Sequence, residues 1–141
     1  MRQVQTVIFD NEAVQALADV THRKHRRLLA IVEAVAARNL RRAGSVGLIV
    51  PTAVRVEAGW DRHAPGAATV NRLRIQDAPL GTEAADGSAR ARVALASTVA
   101  DAHIASTLET TSGPHAVLTG DPEDIRRIAQ HLGVQPNIVI V

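Results

Sequence analysis

Four acidic residues stand where apolar runs give way to helical patterns, a placement that suits carboxylate chemistry. Asp10 closes the run TVIFD at residues 6–10, and Glu57 lies one to two turns into the helical stretch TAVRVEAGW. Asp101 falls in the first turn after Ser97 and Thr98, and Asp121 follows the apolar stretch that ends in VLTG. They are 47, 44 and 20 residues apart, so only the fold can gather them. Gathered carboxylates repel, and a hard divalent cation that accepts oxygen ligands, Mg²⁺ or Mn²⁺, is the natural relief. Asp10 has the strongest claim, because an acid closing so apolar a strand is buried, and a buried charge needs a partner or a metal. Each acid also has a plainer reading. Asp121 and Asp124 suit helix capping, worth about 0.5–2 kcal/mol, and Asp101 suits the positive end of a helix. Glu57 reads equally as a surface residue beside Arg55 or Asp61.

The elements that must position these acids follow from periodicity. Residues 6–10 form a short β-branched and aromatic strand, and 11–20 a helix. From residue 22 to 42, Leu28, Ile31, Val32, Val35 and Ala36 make one helical stripe, with Arg23, Arg27, Arg38 and Arg41 opposite. Gly44 suits the end of that helix. SVGLIVP (45–51) reads as a second strand, with Pro51 fitting the first turn of the next helix. Residues 68–75 are weakly helical and lead to an apolar piece near Ala78–Leu80, and Thr82 to Leu95 is an Ala-rich helix. The stretch 97–109 is a helix with a Ser/Thr cap. Residues 115–119 form a strand and 137–141 a last one. Between them Ile125, Ile128, Ala129 and Leu132 recur at helical spacing within 121–132. Strands alternating with helices predict a three-layer α/β/α sandwich on a central, mainly parallel sheet, in a single domain over residues 1–141. In such a sheet ligands collect at the carboxyl ends of the strands, which is where these acids fall.

Composition removes several classes. The chain has no Cys, hence no disulfide and no thiolate zinc site, and a reducing cytoplasm is the expected setting. One Phe, one Trp and no Tyr leave no base-stacking platform. The N-terminal apolar run is too short for a signal peptide, and no stretch reaches membrane-spanning length. The six His residues show no metal-ligand spacing, and no Gly-rich nucleotide loop is present. A receiver domain or an aspartyl phosphatase needs a late lysine, whereas the only lysine is Lys24, which offers the acids no obvious partner. The net charge of +2 conceals a strip: residues 22–42 hold seven Lys/Arg against Glu33, and the rest of the chain is net negative. That strip is either a solvated helix face or a polyanion contact.

Four blocks, VIFDNEAVQAL, VPTAVRVEAGW, VADAHIASTLE and VLTGDPEDIRRIAQ, occur in the order and spacing of the acidic motifs of PIN-domain ribonucleases, and the chain most resembles the VapC-type toxins of toxin–antitoxin pairs. The resemblance spans nearly the whole chain. It implies Asp10, Glu57, Asp101 and Asp121 as catalytic and metal-binding carboxylates, Thr119 as a polar neighbour, and Asp124 as a cap. It implies Mg²⁺- or Mn²⁺-dependent hydrolysis of RNA, with an antitoxin protein and a homodimer as partners. The antitoxin would bind along the striped helices at 11–20 and 28–40. The RNA backbone would be held by the Arg strip or by Arg62 and His63. The pattern departs at Asn11–Glu12, where many relatives carry a small hydroxyl residue; Glu12 reads as a further ligand or as a first-turn helix acid. The alternative to an enzyme is a catalytically degraded PIN-like module that binds protein or nucleic acid.

Overall fold

The computed structural model describes residues 3–41 and 45–141. Five strands form one sheet: β1 (Thr6–Phe9), β2 (Gly47–Pro51), β3 (Gln76–Ala78), β4 (His115–Thr119) and β5 (Asn137–Ile140). Among the described residues seven helices connect and cover them: α1 (Asn11–Ala18), α2 (His25–Arg41), α3 (Thr52–Ala58), α4 (Ala67–Asn71), α5 (Thr82–Leu95), α6 (Val99–Thr110) and α7 (Pro122–Leu132). The strand order is β3-β2-β1-β4-β5 and every pairing is parallel, which makes the protein a three-layer α/β/α sandwich.

β1 is central and buried along its whole length, because a strand covered on both faces must be apolar throughout. Ile8, Phe9, Leu28, Val32, Val50, Val54, Ile104, Val117 and Ile125 meet in a single core around it. From β1 the chain steps outward through β2 to β3, then returns to the other side of β1 for β4 and β5. The order therefore reverses between β1 and β4, where a doubly wound sheet opens a crevice outside its carboxyl ends.

Three expectations need amendment. Pro51 is the last residue of β2 and the N-cap of α3, rather than a residue of its first turn; its fixed φ suits an extended exit equally well. The apolar piece near Ala78–Leu80 is preceded by a true edge strand, the polar triplet QDA. The helix expected from residue 22 begins at His25, and its expected glycine stop at Gly44 lies outside the described residues.

Candidate active site

Asp10 leaves β1 at the strand-order reversal and caps α1, its Oδ1 accepting from the Asn11 amide at 2.6 Å. Its Oδ2 accepts from the Thr119 hydroxyl, also at 2.6 Å. Thr119, fully buried at the end of β4, in turn accepts from the Asp121 amide at 2.9 Å, so one hydroxyl locks two acids of adjacent strands together. Asp121 caps α7 by accepting from the Asp124 amide at 3.4 Å. The expectation that Asp124 is a cap is corrected: that role is Asp121's, and Asp124 is a first-turn acid. Asp101 sits in the first turn of α6, its amide held by the Thr98 cap at 3.1 Å.

Glu57 depends on α3, which two contacts hold in place. His103, buried in α6, accepts from the Ala53 amide at 3.2 Å, tying the start of α3 to the helix that carries Asp101. Burial lowers the His103 pKa, partly offset by a hydrogen bond to the backbone of Pro79, so the imidazole stays neutral and able to accept. Beyond the Gly59 stop, Trp60 lies under the guanidinium groups of Arg62 and Arg55, which also reach Asp77 of β3 at 2.9 and 2.8 Å. Arg62 is thereby held by Asp77 and the Trp60 ring.

Asp10, Glu57, Asp101, Asp121, Asp124, Glu12, Asn11, Thr98 and Gly120 line one cavity of about 250 Å³ at the carboxyl ends of the strands. The four sequence-predicted acids share the lining of this cavity. A larger cavity of about 810 Å³ lies around Gln5, Val46 and Pro114, near the amino ends of the strands; its described lining has no ionisable side chain, so chemistry favours the smaller one. Burial and neighbouring negative charge both disfavour ionisation in the acid cavity. Burial, then the charges of Asp10, Asp124 and Glu57, raise Asp101 to about 6. Asp10 is likewise raised, by burial first and then by Asp121 and Glu12, against the Thr119 and Asn11 hydrogen bonds.

Among the described residues, no three acidic or histidine side chains stand preset as ligands of one ion. Both Asp10 oxygens already accept from protein donors, the Asn11 amide and the Thr119 hydroxyl. The donor set nevertheless fits a hard cation. It is all oxygen, carries surplus negative charge, and surrounds space for an ion with about six waters at about 30 Å³ each.

Sequence reasoning missed the position of Lys24. Its ammonium lies 2.7 Å from Glu12 Oε1 and donates to the Val141 carbonyl at 2.6 Å, so it does partner an acid of the cavity. Glu12 reaches it by crossing Gly120: a Cβ there would lie 2.6 Å from the Glu12 Cδ. Gly120→Ala is expected to push this movable carboxylate off its path and break the pair. The expected loss of stability in urea melts is about 1 kcal/mol, the scale of a half-exposed pair plus local crowding. A variant as stable as the parent, with the pair intact, would contradict this packing.

Among the described residues no helix is long and apolar enough to cross a membrane. No protein-family model matches the chain, and no curated protein matches it.

Proposed function

We infer that the protein is a metal-dependent endoribonuclease of PIN type, acting as the toxin of a toxin–antitoxin pair. One observation carries this reading: acids 47, 44 and 20 residues apart line one cavity at the strand-order reversal. Asp10, Glu57, Asp101 and Asp121 would hold Mg²⁺ or Mn²⁺, with Asp124 at the rim. A cation bound there supplies a lowered pKa for water and charge stabilisation for a phosphodiester. The chain's own part is positional. Thr119 keeps Asp10 and Asp121 in register, His103 holds α3 so that Glu57 faces Asp101, and Lys24 balances Glu12. An ionised Asp101 is also a suitable proton acceptor near neutral pH. A homodimer and an antitoxin belong to the same reading. The stripes on α1 and α2 are core, with Leu17, Leu28 and Val32 buried. The apolar groove of about 470 Å³ lined by Val56, Leu80 and Val99, beside Glu57, suits a protein partner better. Synthesis and action in the cytoplasm complete the proposal.

The test is a Mg²⁺ and Mn²⁺ titration followed by thermal unfolding, with cleavage of structured RNA, at pH 5 and pH 7.5. The folded Asp101 has a raised pKa, so between about 4 and 6 the native state holds more protons than the unfolded chain. Stability without metal should therefore rise as pH falls through that window. Metal must displace those protons, so its stabilising effect should be smaller at pH 5 than at pH 7.5. A protein that neither shifts with metal nor cuts RNA would be the binding module instead.

A further inference from the structure

We propose that Arg23, Arg26 and Arg27 form a shelf for the phosphate backbone of single-stranded RNA entering the acid cavity; the assignment of RNA rests on the reading above. The basic strip of residues 22–42 is one feature in sequence but two in space. Its beginning is at the cavity rim, because Lys24 joins Glu12 and the Val141 carbonyl, and the Arg27 guanidinium donates to the Ile140 carbonyl at 2.9 Å. Those carbonyls follow or end β5, at the carboxyl side of a parallel sheet. The other end of α2 is tied to the amino side, where Asn39 exchanges two hydrogen bonds with the Val46 backbone at 2.8 and 2.9 Å, just ahead of β2. Seventeen helical residues separate the ends by about 25 Å. Arg38 and Arg41 are thus out of reach of a phosphate in the cavity.

Unlike several other cations among the described residues, the three arginines of the shelf have no acidic partner. Arg55 and Arg62 are bound to Asp77, Arg126 to Glu123 and Arg127 to Asp124. Among the described residues Arg23 and Arg26 are exposed and have no acidic partner. Asp19, the nearest acid before them, accepts from the amide and hydroxyl of Thr21 at 2.9 and 2.7 Å. Positive charge beside an acidic cavity fits a ligand that is anionic yet brings divalent cations with it. A phosphodiester backbone does both, since it carries one charge per nucleotide and a condensed counterion layer. An acidic protein segment, lacking that layer, would meet the carboxylates directly. With no exposed aromatic beside it, the shelf grips backbone and adds affinity without sequence preference.

The experiment measures binding of a fluorescent single-stranded RNA as a function of salt, in the Asp10→Asn background so that the strand is not cut. Arg23→Gln/Arg26→Gln should weaken binding about tenfold at low salt and flatten the log–log salt slope by about 1.4, two phosphate contacts at about 0.7 each. Arg38→Gln/Arg41→Gln should change neither. An unchanged slope in the first pair, a loss confined to the second, or equal displacement of RNA by poly-glutamate would each overturn the shelf. Its failure is separable from failure of the nuclease reading: an enzyme that binds metal and cuts RNA, yet whose shelf variant keeps the full slope, loses only the shelf. A parent protein without metal response, cleavage or RNA binding loses both.

Discussion

Asp10→Asn is expected to abolish the proposed metal-dependent RNA cleavage while leaving the protein folded and, in metal-free buffer, more heat-stable than the parent. The side chain is only 7% exposed, and burial together with the charges of Asp121 and Glu12 disfavours its ionised form. A raised folded-state pKa means that ionisation at pH 7 weakens the native state, so removing the charge should raise the melting temperature by a few degrees. The hydrogen bonds survive the change. The amide oxygen can still accept from the Asn11 amide, and its nitrogen can donate to the Thr119 hydroxyl, which then reverses its role. Activity has no such refuge. Loss of an outer-shell partner already lowers metal affinity or activity about 10–100-fold, and a direct carboxylate ligand should exceed that range. Cleavage assays and calorimetry on the two proteins decide the matter. Cutting at the parental rate, or an undiminished melting shift with Mg²⁺, would remove Asp10 from the site and with it the metal mechanism.

Phe9→Ala should be the most damaging single truncation for stability. Phe9 is fully buried in the middle strand, paired across to Leu118, and is the one phenylalanine of the chain. Core Phe→Ala changes cost about 3–5 kcal/mol through lost burial and the cavity left behind. Total stability for a domain of this kind is about 5–15 kcal/mol, so the variant should be largely unfolded at modest urea concentrations. Phe9→Leu, which keeps most of the volume, should cost much less. A denaturation midpoint for Phe9→Ala close to the parent's would mean that β1 is not the packed centre. Activity should decline alongside stability, because the next residue is Asp10 and the strand sets its direction.

The elements themselves were largely legible. The apolar cores of β1 (residues 7–9) and β4 (residues 116–118) mark strands covered on both faces, and the period of 3.6 residues marks α7. β3 was not legible. Two of its three residues, Gln76 and Asp77, are polar, since an edge strand of three residues buries little and is specified by pairing with β2. Thr98 and Asp121 were readable as caps because capping is local chemistry within four residues. That Asp121 both caps α7 and lines the cavity depends on where α7 begins relative to β1.

The misreadings concern charge. Arg62 reads as available because its acidic partner, Asp77, lies fifteen residues on, while the Trp60 ring two residues before it also holds the guanidinium. Lys24 looked unpaired for the same reason, although it reaches Glu12 around the end of α1. The basic strip looked continuous because a helix is continuous in sequence, whereas its ends lie on opposite sides of the sheet.

By itself, then, the order of residues determined the helices, the strands apart from β3, the parallel class and the four candidate acids, because hydrophobic period and capping act over a few neighbours. Tertiary structure alone decided that β4 lies against β1, that five other acids share the cavity with Asp10, and which cations pair with acids. Coulomb interactions depend on distance through space, and chain separation says nothing about that until the sheet has ordered its strands.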